Sequence, residues 1–273
     1  MSELVIASSE ADAKAADAVR QHHAELAGAL SLRTEELVAA AARHDTPAAE
    51  LARRDLVDWC DRELIPHARA EEQSMYPAAQ GTVEGRLLVE AMLGEHEVIA
   101  RLVRGVADAA DLVRAAPSAT ALHTVFDSHL AKENDLVLPL LAATPGISVA
   151  ELLGGLHELL GHAEHPAPDV GAGCSGHGCA CGGADDQGYP ELDARSIPHS
   201  IRHATIFGAM ESVRPGGGLV LVAPHDPLPL LEQVSRRWPG AFTVQYLERG
   251  PETWRLSFLR NVDKGVVHDE SGA

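Results

Sequence analysis

The sequence predicts an all-α, up-down four-helix bundle followed by a small C-terminal α+β two-layer sandwich. Three observations carry this. Residues 1–166 consist of long Ala/Leu/Glu/Arg-rich runs, the strongest helix formers. Residues 167–188 are Gly-rich and cannot form regular structure cheaply. Residues 189–262 then return to short β-type runs punctuated by Gly and Pro. With 273 residues the chain is long enough for two domains. The expected division is a bundle with an extra short helix (1–166), a Gly/Cys-rich linker (167–188), the α+β domain (189–262) and a tail (263–273).

The first helix is expected from Asp12 to Arg43. The second opens at Thr46-Pro47, a cap residue with proline in the first turn, and runs to about Tyr76-Pro77. The third starts at Thr82 and fades near Ala110, and the fourth runs from Ser118 to near Pro139, with Asp111–Pro117 as connector. A fifth, shorter helix begins with the capping box Ser148-x-x-Glu151 and reaches about Gly161. Short connections make neighbouring helices antiparallel. In the last segment, strands are expected at Leu192–Arg195, Leu219–Val222, Phe242–Leu247 and Trp254–Phe258, with helices at Ile201–Val213 and Leu228–Trp238. Two helices on one face of a small sheet make a two-layer sandwich.

Charge narrows the function classes. Lys and Arg number 22 against 40 for Asp and Glu, a net charge of −18. Nucleic acid and anionic membrane surfaces both need a basic patch, so neither is expected as a partner. Met1–Lys14 has no basic start and no apolar run, so no secretory signal is expected there, and no stretch approaches the ~18 apolar residues of a membrane span. Cys60 stands alone while Cys174, Cys179 and Cys181 crowd together, which is no disulfide framework and fits a reducing, cytoplasmic setting. The 15 histidines are the first hint of metal chemistry.

Ten of those histidines lie in residues 1–166, and four of them interrupt apolar stripes. The stripes read Val19-His23-Leu26-Leu30, then Leu56-Cys60-Leu64-His67-Glu71-Met75. The third and fourth helices read Met92-His96-Ile99-Val103 and Leu122-Phe126-His129-Glu133-Leu136. Cys60 itself reads as a small core residue. Burying one ionisable group unpaired costs several kcal/mol, so six at core positions must satisfy one another around something. A metal is the simplest candidate. His67/Glu71 and His129/Glu133 are both His-x-x-x-Glu pairs, each on one helix face a turn apart. Mixed imidazole and carboxylate ligands in a bundle suit iron or manganese, and two glutamates suit a pair of ions.

His23, His67-x-x-x-Glu71, His96 and His129-x-x-x-Glu133, with Tyr76-Pro77 and Leu138-Pro139 in the flanks, resemble the hemerythrin-like (HHE cation-binding) family over roughly residues 15–145. The resemblance implies a non-haem centre of two Fe ions, oxo- or hydroxo-bridged, with an open position for O2, NO or peroxide. Two departures stand out. The oxygen carriers of that family place a second histidine one turn after the first on the third helix, where this chain has Ala100, and they end the fourth-helix motif in Asp one residue further along than Glu133. One iron thus lacks a protein ligand, to be supplied by water or by His22, His123, His157 or Glu72. The implied function is to bind or sense O2, NO or a related oxidant and to pass the signal to the appended C-terminal domain and on to a downstream protein that the sequence does not name, with no catalytic side chain assigned. The alternatives are a peroxide- or NO-consuming di-iron oxidoreductase, or iron storage and iron-centre repair.

The linker carries Cys174-x-x-His177-x-Cys179-x-Cys181, the ligand types of a Zn or Cu(I) site. The final segment resembles the sulfur-carrier (TusA-like) fold through Leu192-Asp-x-Arg195, Arg202-His203, Arg214-Pro-Gly216 and His225-Asp226-Pro227. The position of that family's cysteine is His199 here, so persulfide carriage is not expected. His203 and His225 fall at one end of the sheet, where the linker thiols could join them in a second metal site.

Overall fold

A computed structural model describes residues 9–154, 188–199 and 201–262. The first 33-residue helix, α1 (Glu10–Ala42), is capped by Ser9, whose side chain accepts from the Asp12 amide. After a turn at His44, α2 (Thr46–Trp59) follows, capped by the Asp45 side chain rather than by Thr46. A π turn (Cys60–Leu64) leads into α3 (Ile65–Gln73), and the chain breaks at Ser74 before α4 (Met75–Gln80). Next come α5 (Gly85–Ala107) and α6 (Leu112–Lys132). A second π turn (Glu133–Val137) precedes α7 (Leu138–Ala143), and α8 occupies 149–154 among the described residues. Ser148 accepts from the Glu151 amide as a helix cap should.

Each π turn immediately precedes a proline. The Ile65 amide bonds back five residues to Cys60, one position before Pro66, and the Leu138 amide does the same to Glu133 before Pro139. A proline inside an α-helix collides with the carbonyl four residues earlier and offers no amide. A wider π turn just ahead of it relieves both problems. The stretch Asp111–Pro117 is not a connector. Asp111 caps α6 by accepting from the Arg114 amide, and Pro117 lies inside the helix near its start.

The helices enclose two apolar clusters. One gathers Leu26, Leu30, Leu37, Leu56, Cys60, Leu64, Ile99, Val103, Leu122 and Phe126. The other gathers Val19, Met75, Tyr76, Val89, Met92, Val137, Leu138 and Leu141. On every stripe the ionisable residues fall between these clusters, so a polar layer is sealed from both sides. No helix among the described residues is long and apolar enough to cross a membrane.

The C-terminal segment is a four-stranded mixed sheet in the order β1-β2-β4-β3. β1 (Glu191–Asp193) runs parallel to β2 (Gly218–Ala223), with Leu192 opposite Leu221. β4 (Trp254–Arg260) lies antiparallel to β2 and to β3 (Phe242–Glu248). The helices α9 (Arg202–Ser212) and α10 (Leu228–Arg237) supply Ile206, Met210, Leu230 and Val234 to a third core with Leu219, Leu221, Leu256 and Phe258. Leu32 of α1 joins the same core, so the two segments are packed together. Their contact is a backbone-close helix crossing. A Cβ on Gly28 would lie 2.0 Å from the Thr205 carbonyl oxygen, and one on Gly208 would lie 2.2 Å from that of Glu25. Arg214 donates to Glu36 at 3.0 Å across the same seam.

Candidate metal centre

His23, His67, Glu71, His96, His129 and Glu133 are all buried, none more than 7% exposed. Their ligand atoms form two groups, His23/His67/Glu71 and Glu71/His96/His129/Glu133, each within 4.8 Å, with Glu71 common to both. The two carboxylates tie the histidine pairs together. Glu71 Oε1 lies 3.2 Å from His23 Nε2 and 3.1 Å from His67 Nε2, while Oε2 reaches 3.7 Å from His96 Nε2. Glu133 Oε1 lies 3.6 Å from His129 Nε2 and Oε2 lies 3.7 Å from His23 Nε2.

The rings are aimed by their outer nitrogens. His96 Nδ1 donates to Glu72 at 2.7 Å, His129 Nδ1 to Glu95 at 3.1 Å, and His23 Nδ1 to Asn134 Oδ1 at 2.9 Å. Lys132 in turn pairs with Glu95. Each of these bonds fixes a tautomer that turns a lone pair on Nε2 inward. Tyr76 completes the layer, donating to Glu133 Oε1 at 2.6 Å.

The inner face fits a cation. His96 and His129 bring their Nε2 atoms to 3.0 Å, which two lone pairs tolerate only with a proton or a positive ion between them. The buried His67 Nδ1 and Glu133 Oε2 have no hydrogen-bond partner among the described residues, while His67 Nε2 faces the Glu71 carboxylate at 3.1 Å. Orphaned polar atoms at such depth cost free energy unless a ligand engages them. Four neutral imidazoles and two carboxylates are the donor set of a borderline transition metal.

Protonation reflects the same crowding. Burial lowers the proton affinity of His23, but its hydrogen bond to Glu71 and the charges of Glu133 and Glu71 outweigh it, and its pKa is raised. His129 is raised in the same way, with Glu133 as the main opposing partner to burial. Burial pushes Glu71 up, yet the charge of His67 and the hydrogen bonds of His23 and His67 hold it well below the usual carboxylate range. Burial, with the Glu133 charge, raises Tyr76 far above an ordinary phenol.

Among the candidate extra ligands, His22 is half-buried with its ring edge-on to His67 at 4.9 Å. His123 instead pairs with Asp127 at 3.2 Å, and Glu72 is engaged behind His96. His157 and the linker residues Cys174, His177, Cys179 and Cys181 lie outside the described residues. His203 and His225 are both exposed, and among the described residues neither belongs to a group of three metal-ligating side chains. Sequence reasoning did not single out Glu95, Lys132 or Asn134. Glu95 and Asn134 are each the immediate neighbour of a cluster residue, which is the signal that could have found them.

Neither a curated protein nor a solved structure significantly matches the chain. Residues 191–260, the whole mixed sheet with its helices, match a family model described as an uncharacterized conserved protein (DUF2249). Residues 14–141, which contain all six clustered side chains, match the family model of the hemerythrin HHE cation binding domain.

Proposed function

We propose that the helical segment holds two iron ions and binds or senses O2, NO or a related oxidant. The observation that carries the reading is the reach of Glu71 and Glu133, each of which lies within 3.7 Å of histidines from both pairs. Carboxylates so placed suit two neighbouring ions better than one. His23 and His67 would serve the first, His96 and His129 the second, and the glutamates both. When bound, the irons supply redox-active positions that accept a small gaseous or peroxide ligand.

The chain's own residues set the conditions for that chemistry. Glu72, Glu95 and Asn134 hold the imidazoles in the ligating tautomer. The two apolar clusters exclude water from above and below the layer, which strengthens every electrostatic interaction inside it. The Tyr76 hydroxyl keeps a proton beside Glu133. We place the helical domain at 1–166 in an up-down arrangement, the linker at 167–188 and a sulfur-carrier-like (TusA-like) domain at 189–262, in a cytoplasmic protein.

The test is metal analysis of the pure protein with optical spectra before and after addition of O2 and NO. About two irons per chain and a ligand-dependent spectrum are expected. Less than one iron after anaerobic reconstitution overturns the reading. Repeated turnover of peroxide or NO with a reductant would make the protein an enzyme rather than a sensor.

A further inference from the structure

All six cluster residues are sealed from solvent, so an ion must have a way in. A cavity of about 360 Å³ lies at the seam between the helical and C-terminal segments, and His23 and Asn134 form part of its wall. From there α1 lines it with Ala27, Ser31 and Glu35, spaced four residues apart. His23 and Glu35 are separated by about 18 Å of helix. Facing them, α6 contributes His123 and Asp127. The outer wall belongs wholly to the C-terminal segment, including Asp193 and Ile197.

The carboxylates of this passage outnumber the cationic side chains in its lining. Four carboxylates, Glu35, Asp127, Glu191 and Asp193, line it, and no Lys or Arg does among the described residues. Arg255 and Arg195 neutralise Glu191 and Asp193 from outside the lining. Among the described residues Asp127 pairs with His123 alone, and no hydrogen bond or ion pair engages Glu35. A cavity of one charge sign with low-dielectric walls concentrates counter-ions.

We infer that this cavity is the entrance by which a hydrated divalent cation reaches the buried His/Glu cluster, and that the C-terminal segment forms its outer wall. The inference rests on the metal-binding reading above and adds the path. Glu35 and Asp127 draw the cation in, and the small side chains of α1 leave room for its hydration shell. The His23 end delivers it to the first pair of ligands. The C-terminal segment thereby acquires a task that needs no cysteine.

The test uses full-length apo-protein prepared by chelation, with anaerobic Fe(II) uptake followed in time and Co(II) as an optical probe. Two variants are compared with the parent chain. E35Q/D127N removes charge, and A131W narrows the cavity from an exposed lining position. Melting curves of both confirm the fold. Each is expected to take up metal about tenfold more slowly at low salt, with unchanged final content. E97Q, an exposed charge removed from another helix, should match the parent chain. An unchanged rate in A131W overturns the entrance. Slowing in A131W alone keeps the entrance and overturns the electrostatic part. A parent chain that binds no metal overturns the underlying metal-centre reading instead, and metal content measured on the parent separates the two failures.

Discussion

The Tyr76 hydroxyl donates a hydrogen bond to Glu133 Oε1 at 2.6 Å while its ring stacks on His96 at 5.3 Å between centroids. One side chain from α4 thus braces ligands on two other helices. Tyr76→Phe keeps the stacking and removes the donor. The apo-protein should lose about 1–3 kcal/mol in chemical denaturation, since a buried carboxylate oxygen goes unpaired. Metal content should be retained. Complete loss of metal would show that the hydroxyl itself is a ligand.

His67 and His129 should respond differently to removal. His129 is held on its outer side by Glu95 and faces Glu133, whereas His67 faces Glu71 at 3.1 Å and its Nδ1 has no hydrogen-bond partner among the described residues. His129→Leu should destabilise the apo-protein by ~2–4 kcal/mol because it strands buried carboxylates. His67→Leu also removes a partner of the buried Glu71 carboxylate, but it relieves an unpaired Nδ1, so it should cost the apo-protein less than His129→Leu. Both should abolish the stabilisation that metal gives. Thermal melts with and without Fe(II) check the pattern, and equal apo losses for the two would contradict it.

At the seam, burial raises the Glu36 carboxyl above its ordinary value, although the Arg214 charge pulls it down. The folded state therefore holds this proton more tightly than the unfolded state. Its contribution to stability is fully present below the ordinary glutamate pKa and is lost as pH rises through the raised value. Glu36→Gln should accordingly gain on the unmodified protein as pH rises from the ordinary glutamate pKa through the raised one. Melting both proteins across that range measures the difference. A gap that widens against the variant as pH rises would show that the Arg214 pair outweighs burial.

Cys60 is fully buried at the start of the first π turn, and burial pushes its thiol up to about 12. With Cys174, Cys179 and Cys181 replaced by serine, a thiol reagent at about pH 8 should leave the native protein unlabelled. Labelling should appear only with denaturant. Rapid native labelling would mean that this part of the core opens readily.

Gly28→Ala or Gly208→Ala should reverse the usual sign of such a change. In an exposed helix interior the substitution stabilises by up to ~1 kcal/mol. Here each new methyl meets a partner backbone at 2.0 or 2.2 Å. The crossing must spread, so the melting temperature should fall and limited proteolysis between the two segments should quicken. A stabilised variant would show that the two segments part without cost.

Which parts of this were legible in the sequence follows from period and chemistry. Each clustered residue sits three or four positions from an apolar neighbour, and that spacing alone placed His23, His67, Glu71, His96, His129 and Glu133 at buried positions. All four C-terminal strands and both helices were found within a few residues, because Gly and Pro punctuate them. The outer partners Glu95 and Lys132 stayed hidden, since an acid and a base on helix surfaces are usually just solvated. The π turns were missed although Pro66 marked one of them, because a proline inside a helical pattern reads as a kink or a stop. A glycine inside a helix is by itself only a weak point, and it takes the assembled fold to turn Gly28 and Gly208 into a contact.

The α1 helix belongs to both halves of the molecule. His23 and Gly28 are five residues apart on one unbroken helix, about 7.5 Å along its axis. A rod gripped that tightly cannot be twisted at one point and held still at the other. A rotation that swings His23 away from Glu71 also turns the groove in which the Thr205 carbonyl sits, and the sheet moves as a lever arm on that groove. Such an arrangement ties the position of His23 to that of the C-terminal segment through one helix. It does so without a hinge, because the axle is already shared.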